Sequence, residues 1–220
     1  MIVPTMTVQE IHNEVFLDIV TLKDKMAELN KNFRKFVLSK SKYPVSKFYD
    51  CYTMDRKNQF IIGYTALKRS QHNNPINHFL GIYSRPEGKY AIAPSIDIEK
   101  STIYPPHFFK RYRERIIKND TLTNDEIIKL FFKNEWGHVG VRINKDFENI
   151  YHAFEDDPDG QVSTILASSQ GYCFGLQQGN INIIKTIISE DMLFDDQKSI
   201  FMELRKAYNK MNYERFGVIV

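Results

Sequence analysis

The segment from His107 to Lys118 holds the side chains best suited to chemistry in this chain. It reads His-Phe-Phe-Lys-Arg-Tyr-Arg-Glu-Arg-Ile-Ile-Lys, so five lysines and arginines accompany a single carboxylate. Guanidinium groups donate paired hydrogen bonds to phosphate oxygens, and an imidazole can exchange a proton near neutral pH. This combination suits binding or cleavage of an RNA phosphodiester without a metal ion.

The spacing of these residues predicts a two-faced helix, because side chains three and four positions apart share one face. The apolar face, predicted to be buried, consists of Phe108, Phe109, Tyr112 and Ile116. The opposite face, predicted to meet solvent, consists of His107, Arg111, Glu114, Arg115 and Lys118. We take as candidate catalytic residues His107, Arg111 and Arg115, and as candidate nucleic-acid contacts Lys110, Arg113, Lys118 and Trp136.

An ordinary scaffold helix would carry similar charges. Glu114 lies four residues from both Lys110 and Lys118, and arginines on such a helix often bridge acidic residues elsewhere in the fold. Trp136 has a similar alternative, because a lone tryptophan after a helix more often covers a core edge than stacks on a base. Exposed, unpaired cations beside a cleft would favour nucleic-acid binding, whereas arginines buried in salt bridges would favour a structural role.

Other polar groups give weaker signals. His138 lies between Gly137 and Gly140, which is typical of a turn, although it is a second candidate for acid–base chemistry. The stretch from Glu155 to Gly160 echoes a calcium loop, but Pro158 interrupts it and Leu166 occupies the closing position, so a turn is favoured. No histidine or cysteine spacing matches a zinc site. We therefore assign no metal and no cofactor.

Composition indicates a globular protein. The chain has 220 residues, 42% of them hydrophobic and 26% charged, and its formal net charge of +3 is too small to mark the whole molecule as polyanion-binding. Cys51 and Cys173 are too few and too far apart for a disulfide framework. The first residues lack a signal-peptide pattern and no apolar run approaches the length of a membrane span, so we expect a soluble cytoplasmic protein with no membrane partner.

The order of predicted elements indicates an α+β fold: a long N-terminal helix, hairpins, a central helix pair, an antiparallel meander and a C-terminal helix. Hairpin arms at residues 48–54 and 59–67 flank a polar turn, and Thr123 opens a capping box before the second central helix. The meander is predicted from strands at 138–143, 149–154, 162–167, 172–176 and 181–188. Ser189 is a plausible cap for a closing helix over 191–209. Strands joined by short turns favour an antiparallel sheet.

The N-terminal helix is predicted to start at the capping box of Thr7 and Glu10. Its apolar stripe, with alternating spacings of four and three, consists of Val15, Ile19, Leu22, Met26, Leu29, Phe33 and Phe36. We favour a helix lying across a sheet, because the phenylalanines are bulky for a two-stranded seam. The alternative is a seam for a homodimer or another protein partner.

We expect one α+β domain over residues 1–220. A subdivision into residues 1–98, with the long helix and hairpins, and residues 99–220 is the alternative. The stretch from Ser95 to Ser101 is where such a boundary would fall.

The second half of the chain resembles small RelE/BrnT-type toxins and related uncharacterised domains. The resemblance lies in the His-x3-Arg-x3-Arg spacing of His107, Arg111 and Arg115, a following helix, and a meander ending in Asn182-Ile-Ile-Lys-Thr-Ile-Ile188. It covers residues 102–188 at most. It implies a compact core of two helices and antiparallel sheet, with metal-independent ribonuclease activity in active members. Under it, His107 or His138 would transfer protons and the two arginines would stabilise charge on the phosphate.

Two functional hypotheses follow. The first is an RNA-binding protein with metal-independent ribonuclease activity, acting through the basic helix. The second is a non-catalytic protein–protein interaction or structural module.

Overall fold

The computed structural model describes residues 1–156 and 161–217. It confirms the α+β class, and the chain divides into two compact units. Unit 1 comprises Met1–Ile103 and unit 2 begins at Tyr104. The elements of unit 1 are α1 (Val8–Leu38), β1 (Val45–Tyr52), β2 (Gln59–Ala66), β3 (Ile76–Arg85), β4 (Gly88–Ser95) and β5 (Lys100–Tyr104), which ends at the boundary.

Unit 1 is a long helix packed on a meander. Its strands follow the order β1-β2-β3-β4-β5, and β1 to β4 pair with antiparallel neighbours. The predicted capping box of α1 is present, since the Thr7 hydroxyl accepts from the Glu10 amide and the Glu10 carboxylate accepts from the Thr7 amide. Glycine at position 81 lets the helix approach closely, because a Cβ there would lie 3.1 Å from the Val15 side chain.

The apolar stripe of α1 is largely consumed by this packing. Its fully or nearly fully buried members are Val15, Ile19, Leu22, Leu29 and Phe33, while Met26 and Phe36 are partly buried. The predicted helix lying across a sheet is therefore what the structure has. A dimer seam through the same side chains would require them to be exposed.

Unit 2 contains the basic segment. Its elements are α2 (Pro106–Tyr112), α3 (Asn124–Asn134), β6 (Val139–Arg142), α4 (Lys145–Phe154), β7 (Thr164–Ser168), β8 (Gly171–Gln178), β9 (Ile181–Ile188) and α5 (Asp195–Phe216). The strands follow the order β9-β8-β7-β6 and pair antiparallel. A core of side chains from α4, the strands and α5 includes Tyr151, Ile165, Phe174, Phe201 and Tyr208.

One predicted strand is wrong. Residues 149–154 belong to helix α4, which begins where the Asn144 carboxamide accepts hydrogen bonds from the amides of Asp146 and Phe147, both at 3.1 Å. Phe147, Ile150 and Tyr151 are buried at the three- and four-residue spacing of a helix rather than at the alternation of a strand. The asparagine cap was the signal to use.

The C-terminal helix also differs from its prediction. Ser189 precedes only a short turn at Glu190–Met192, and α5 begins later, at Asp195, and continues to Phe216. The turn predicted at residues 156–160 and the calcium-loop echo fall mainly on residues 157–160, which lie outside the described residues.

An aromatic cluster fixes α2 against α3. Phe131 lies at its centre, with ring-centroid distances of 5.0 Å to Phe108, 5.1 Å to Tyr112 and 5.2 Å to Tyr104. Each of these four side chains is at most 4% exposed. The cluster holds the apolar face of α2 down, so that the opposite face is presented outward.

We expect Phe131→Ala to lower the free energy of unfolding by about 3–5 kcal/mol, because it leaves a cavity among rings that cannot collapse into it. Chemical denaturation followed by circular dichroism would measure this. The control is Met202→Ala on α5, whose side chain is 50% exposed, and which should change stability by less than about 0.5 kcal/mol. Equal effects of the two substitutions would contradict this account of the cluster.

Candidate functional site

His107 and Arg111 are presented by the first turns of α2. The helix starts at Pro106, where the missing amide proton falls among donors that a first turn leaves unsatisfied. Burial of Phe108 and Tyr112 orients the helix. His107 and Arg111, four residues apart, consequently lie one above the other on the outward face.

After Tyr112 the helix changes geometry. Residues Arg113–Ile117 form a wider, π-type turn, closed by a 2.7 Å hydrogen bond from the Lys118 amide to the Arg113 carbonyl. Such turns rotate the following side chains relative to an α-helix and are frequent at functional sites. Arg115, predicted on the exposed face, instead points inward and its side chain is only 11% exposed.

Arg115 is fully engaged by the protein. Its Nη1 donates to the Thr186 hydroxyl at 2.7 Å and the Ile187 carbonyl at 3.2 Å, and its Nη2 donates to the Phe154 carbonyl at 2.8 Å. Nη1 also lies 2.8 Å from Oε1 of Glu155. This guanidinium is therefore buried in an ion pair, the arrangement expected of a structural role, and is part of the framework of the site.

Glu155 is the residue on which these groups converge, and the sequence alone did not reveal its role. It directly follows α4, and its side chain is 5% exposed. Oε1 accepts from the Thr186 hydroxyl at 2.7 Å and lies 3.1 Å from Nε of Arg111. Oε2 accepts from Nη2 of Arg111 at 3.1 Å and lies 3.3 Å from Nε2 of His107.

Opposing influences set the protonation of this carboxyl. Burial alone would raise the pKa of Glu155, but the hydrogen bond from Thr186 and the charges of Arg115 and Arg111 outweigh it and lower the pKa below its ordinary value. Glu155 is consequently ionised at neutral pH. A buried carboxylate of this kind requires its cationic partners, and they in turn require it.

A β-bulge brings two consecutive residues of β9 to the site. The register of β8 and β9 shifts between Phe174 and Gly175, so that Phe174 pairs with Thr186 and Gly175 pairs with Ile184. Lys185 lies at this shift, between the two register pairs. Side chains of consecutive strand residues ordinarily point to opposite faces, and bulges re-aim them. Here Thr186 contacts Glu155 and Lys185 lines the adjoining pocket.

Glycine at position 175 makes the bulge feasible. A Cβ on this residue would lie 2.3 Å from the Ile183 carbonyl oxygen, closer than any real contact. The sequence Gly171-Tyr-Cys-Phe-Gly175 was the available signal for the irregularity.

The pocket beside Glu155 has a volume of about 400 Å³. Its lining residues are Pro105, His107, Arg111, Tyr151, Glu155, Asp156 and Lys185. His107 is half exposed and Arg111 is partly exposed, so both are accessible from solvent, whereas Arg115 is not among the lining residues. The volume is within the range of ordinary small-ligand sites.

The candidate nucleic-acid contacts Lys110, Arg113, Lys118 and Trp136 are not among the residues that line the pocket. Lys110 is 67% exposed with its Nζ 4.0 Å from Glu114, and Arg113 donates to the Asn124 side chain at 3.0 Å. Lys118 is exposed beyond the π-type turn. Trp136 follows α3, is partly buried, and donates from its indole nitrogen to the Lys133 carbonyl at 3.3 Å.

His138, the second acid–base candidate, is not among the residues that line this pocket. Burial and the nearby positive charge of Arg215 lower its pKa. These surroundings favour the neutral imidazole.

The contact with Glu155 defines the tautomer of His107. Because Glu155 is ionised and accepts only, Nε2 of His107 must carry the hydrogen in their 3.3 Å contact. In the neutral ring, Nδ1 then holds the lone pair. A carboxylate that fixes a histidine tautomer is a recurring feature of acid–base sites. Arg111 beside it supplies a guanidinium for an oxyanion.

Within residues 1–156 and 161–217, no group of three or more histidine, cysteine, aspartate or glutamate side chains is placed to hold a metal ion. Over the same residues, no helix combines the length and apolarity that a membrane crossing would need.

Comparisons with known proteins give no match to this chain, whether against protein-family models, curated proteins or solved structures.

A second perturbed glutamate lies elsewhere in unit 2. Glu135, at the end of α3, is 7% exposed, and burial raises its pKa to about 8. Its Oε1 accepts from the Gly137 amide at 3.2 Å, and its Oε2 has no hydrogen-bond partner among the described residues. Unlike Glu155, this carboxyl is buried without a cation bonded to it, and it is protonated at neutral pH.

We expect Glu155→Gln to lower stability by about 3 kcal/mol at pH 7, because two partly or fully buried guanidinium groups lose their counter-charge. The folded-state pKa is lowered, so the stabilisation is present above pH 4.5 and is lost as the pH falls through the folded-state value. Denaturant titrations of both proteins between pH 7 and pH 3 would measure the difference. A difference that does not shrink on acidification would contradict the assignment.

Glu135→Gln should show the reverse dependence. The folded-state pKa of about 8 lies above the ordinary value of 4.5, so wild-type stability should fall relative to the variant as the pH rises between these values. At pH 7 the variant should be more stable by about 2–3 kcal/mol. The same titrations extended to pH 9 test this, and a variant less stable than wild type throughout would rule it out.

Proposed function

We propose that this protein is a metal-independent ribonuclease whose active site is the pocket of His107, Arg111 and Glu155. One observation carries the proposal. A half-exposed histidine is bonded to a buried, ionised carboxylate beside an accessible guanidinium, and all three line one pocket of about 400 Å³. In sequence, Glu155 lies 44 residues from Arg111 and 48 residues from His107. An acid–base group next to a phosphate-binding group is what cleavage of a phosphodiester requires.

His107 is the proton-transfer residue in this proposal. With its hydrogen on Nε2 held by Glu155, its Nδ1 takes the proton from a ribose 2′-hydroxyl. The 2′-oxygen attacks the adjacent phosphorus, a P–O bond forms to give a 2′,3′-cyclic phosphate, and the bond to the 5′-oxygen breaks. The departing oxygen takes a proton from solvent. The mechanism uses the 2′-hydroxyl of the substrate as nucleophile and needs no metal ion.

Arg111 and Arg115 have different roles. Arg111 lines the pocket and can donate to a non-bridging phosphate oxygen, where negative charge builds up during attack. Arg115 does not line the pocket, so it acts as a positioning residue that holds Glu155 from the buried side together with Thr186. This assignment modifies the sequence-based hypothesis, in which Arg115 would contact phosphate.

Cations on α2, after the π-type turn and on β9 extend the proposed site. Lys110 and Lys118 are both exposed, and Lys185 lines the pocket. In this proposal they bind neighbouring phosphates of an RNA strand, a contribution that would weaken with salt. Arg113 and Trp136 are the flanking candidates for the same strand.

The resemblance to RelE/BrnT-type toxins rests on some of the same residues and is consistent with the proposal. Its motif names a histidine, an arginine, a glutamate–arginine pair and a threonine near the last strand. In this chain those residues are His107, Arg111, Glu114, Arg115 and Thr186, and all of them except Glu114 contact the Glu155 carboxylate. A cytoplasmic, toxin-like enzyme is the corresponding expectation, and both cysteines are buried free thiols.

The second candidate function is a non-catalytic interaction module. Two observations favour it. Arg111 and Arg115 are both ion-paired with the buried Glu155, as arginines in a structural role would be. In unit 1, a pocket of about 470 Å³ lies between α1 and the β1–β2 turn. Two of its lining residues, Tyr52 and Met54, are large and exposed. Exposed apolar side chains beside a cavity are a feature of protein-binding surfaces.

The proposal is tested by incubating the protein with labelled single-stranded RNA in EDTA and resolving the products. We expect cleavage with 2′,3′-cyclic phosphate ends. His107→Ala should lower the rate by about 100-fold or more, as for loss of a general acid–base group. Arg111→Ala should lower it by a similar factor through lost charge stabilisation.

The matched control is His138→Ala, which removes a histidine from the same unit but not from the pocket. It should leave the rate within about threefold of wild type. Cleavage that survives His107→Ala, or that requires His138, would overturn the proposal. Absence of both cleavage and RNA binding would leave the interaction module.

A further inference from the structure

We infer that Glu114 is an autoinhibitory carboxylate, which competes with substrate phosphate for Arg111 and Lys110. The inference rests on the proposed function, because it concerns how RNA phosphates reach the same site. Glu114 has no counterpart in the roles assigned above. It is the one acidic residue of the segment from His107 to Lys118.

The contacts of Glu114 place it against two cations at once. Its Oε2 accepts from Nη1 of Arg111 at 3.1 Å, and its Oε1 lies 4.0 Å from Nζ of Lys110. Arg111 is bonded through Nη2 to Glu155 at the same time. The guanidinium is therefore held between two carboxylates, and its paired donors already face anions.

The two carboxylates differ in how readily they release Arg111. Glu155 is 5% exposed and is held from behind by Arg115 and Thr186, so it is fixed. Glu114 is 38% exposed and both of its cationic contacts are on its own helix. Exposed pairs of this kind contribute little stability, so a phosphate can displace Glu114 at small cost.

This arrangement keeps the resting site nearly neutral. Four cations, Lys110, Arg111, Arg115 and Lys185, stand in or beside the pocket against three carboxylates, Glu114, Glu155 and Asp156. An RNA strand must therefore displace the Glu114 carboxylate before its phosphates can contact Lys110 and Arg111. A polyanion can do so through several phosphates, whereas a single phosphate gains little, so Glu114 favours long polyanions over small anions.

The test measures binding of a 2′-O-methyl oligonucleotide, which cannot be cleaved, across a salt series. We expect Glu114→Gln to bind about 3- to 10-fold more tightly than wild type at low salt. The slope of log affinity against log salt should steepen by roughly 0.7 for each cation newly available to phosphate. Inorganic phosphate, titrated separately, should gain less.

Glu203→Gln is the matched control. Glu203 lies on α5 and pairs with Lys206 at 2.7 Å, so the substitution removes the same charge and breaks a similar pair away from the pocket. It should leave affinity within about 1.5-fold of wild type, since long-range charge effects are screened by salt. Equal tightening by Glu114→Gln and Glu203→Gln would overturn the inference.

Arg111→Ala separates the two levels of the proposal. If it weakens binding while Glu114→Gln does not tighten it, the autoinhibitory role is wrong and the RNA site stands. If Arg111→Ala leaves wild-type binding unchanged, or if neither wild type nor Glu114→Gln binds the oligonucleotide, the proposed site itself is wrong and the inference falls with it.

Discussion

The carboxylate of Glu155 makes it feasible to bury one guanidinium and half-bury another beside an aromatic core. Without a counter-charge, the desolvation of Arg115 would be costly, because the wide turn directs its guanidinium into the interior. With it, α2, α4 and β9 are joined through side chains of three elements at one point. The same charge determines which nitrogen of His107 is protonated. The same carboxylate therefore both stabilises the contacts between these elements and orients the histidine of the proposed acid–base site.

The geometry around this carboxylate depends on two local departures from regular structure. The π-type turn after Tyr112 aims Arg115 inward, and the bulge opposite Gly175 allows neighbouring strand residues to serve the same site. Both departures are supported by packing that sequence patterns describe well. The aromatic cluster centred on Phe131 fixes the helix, and the buried residues of β8 fix the sheet.

The regular parts of the fold were predictable because their signals are local. Capping boxes at Thr7 and Thr123 and the aromatic, β-branched hairpin arms each express a preference of a few consecutive residues. The strand predicted at residues 149–154 is wrong because an apolar run of that length fits either periodicity, and only the cap at Asn144 distinguishes the two. The pairing of Arg115 with Glu155 could not be predicted, since it joins residues 40 apart through a turn geometry that the sequence does not specify.

The candidate site was therefore only partly foreseeable. The spacing of His107 and Arg111 was informative because one helix carries both. Glu155 lies in a stretch whose composition indicates a turn, and its role depends on contacts with residues that are distant in sequence.

The bulge at Lys185 also makes the strand intolerant of changes in length. Removing one residue near Lys185 would restore regular alternation along β9. Removal of Lys185 itself would leave Thr186 opposite Phe174, but the pocket would lose the ammonium group that lines it. Natural variation in this protein should therefore change residue types in β9 more freely than the number of residues between Gly175 and the end of the strand.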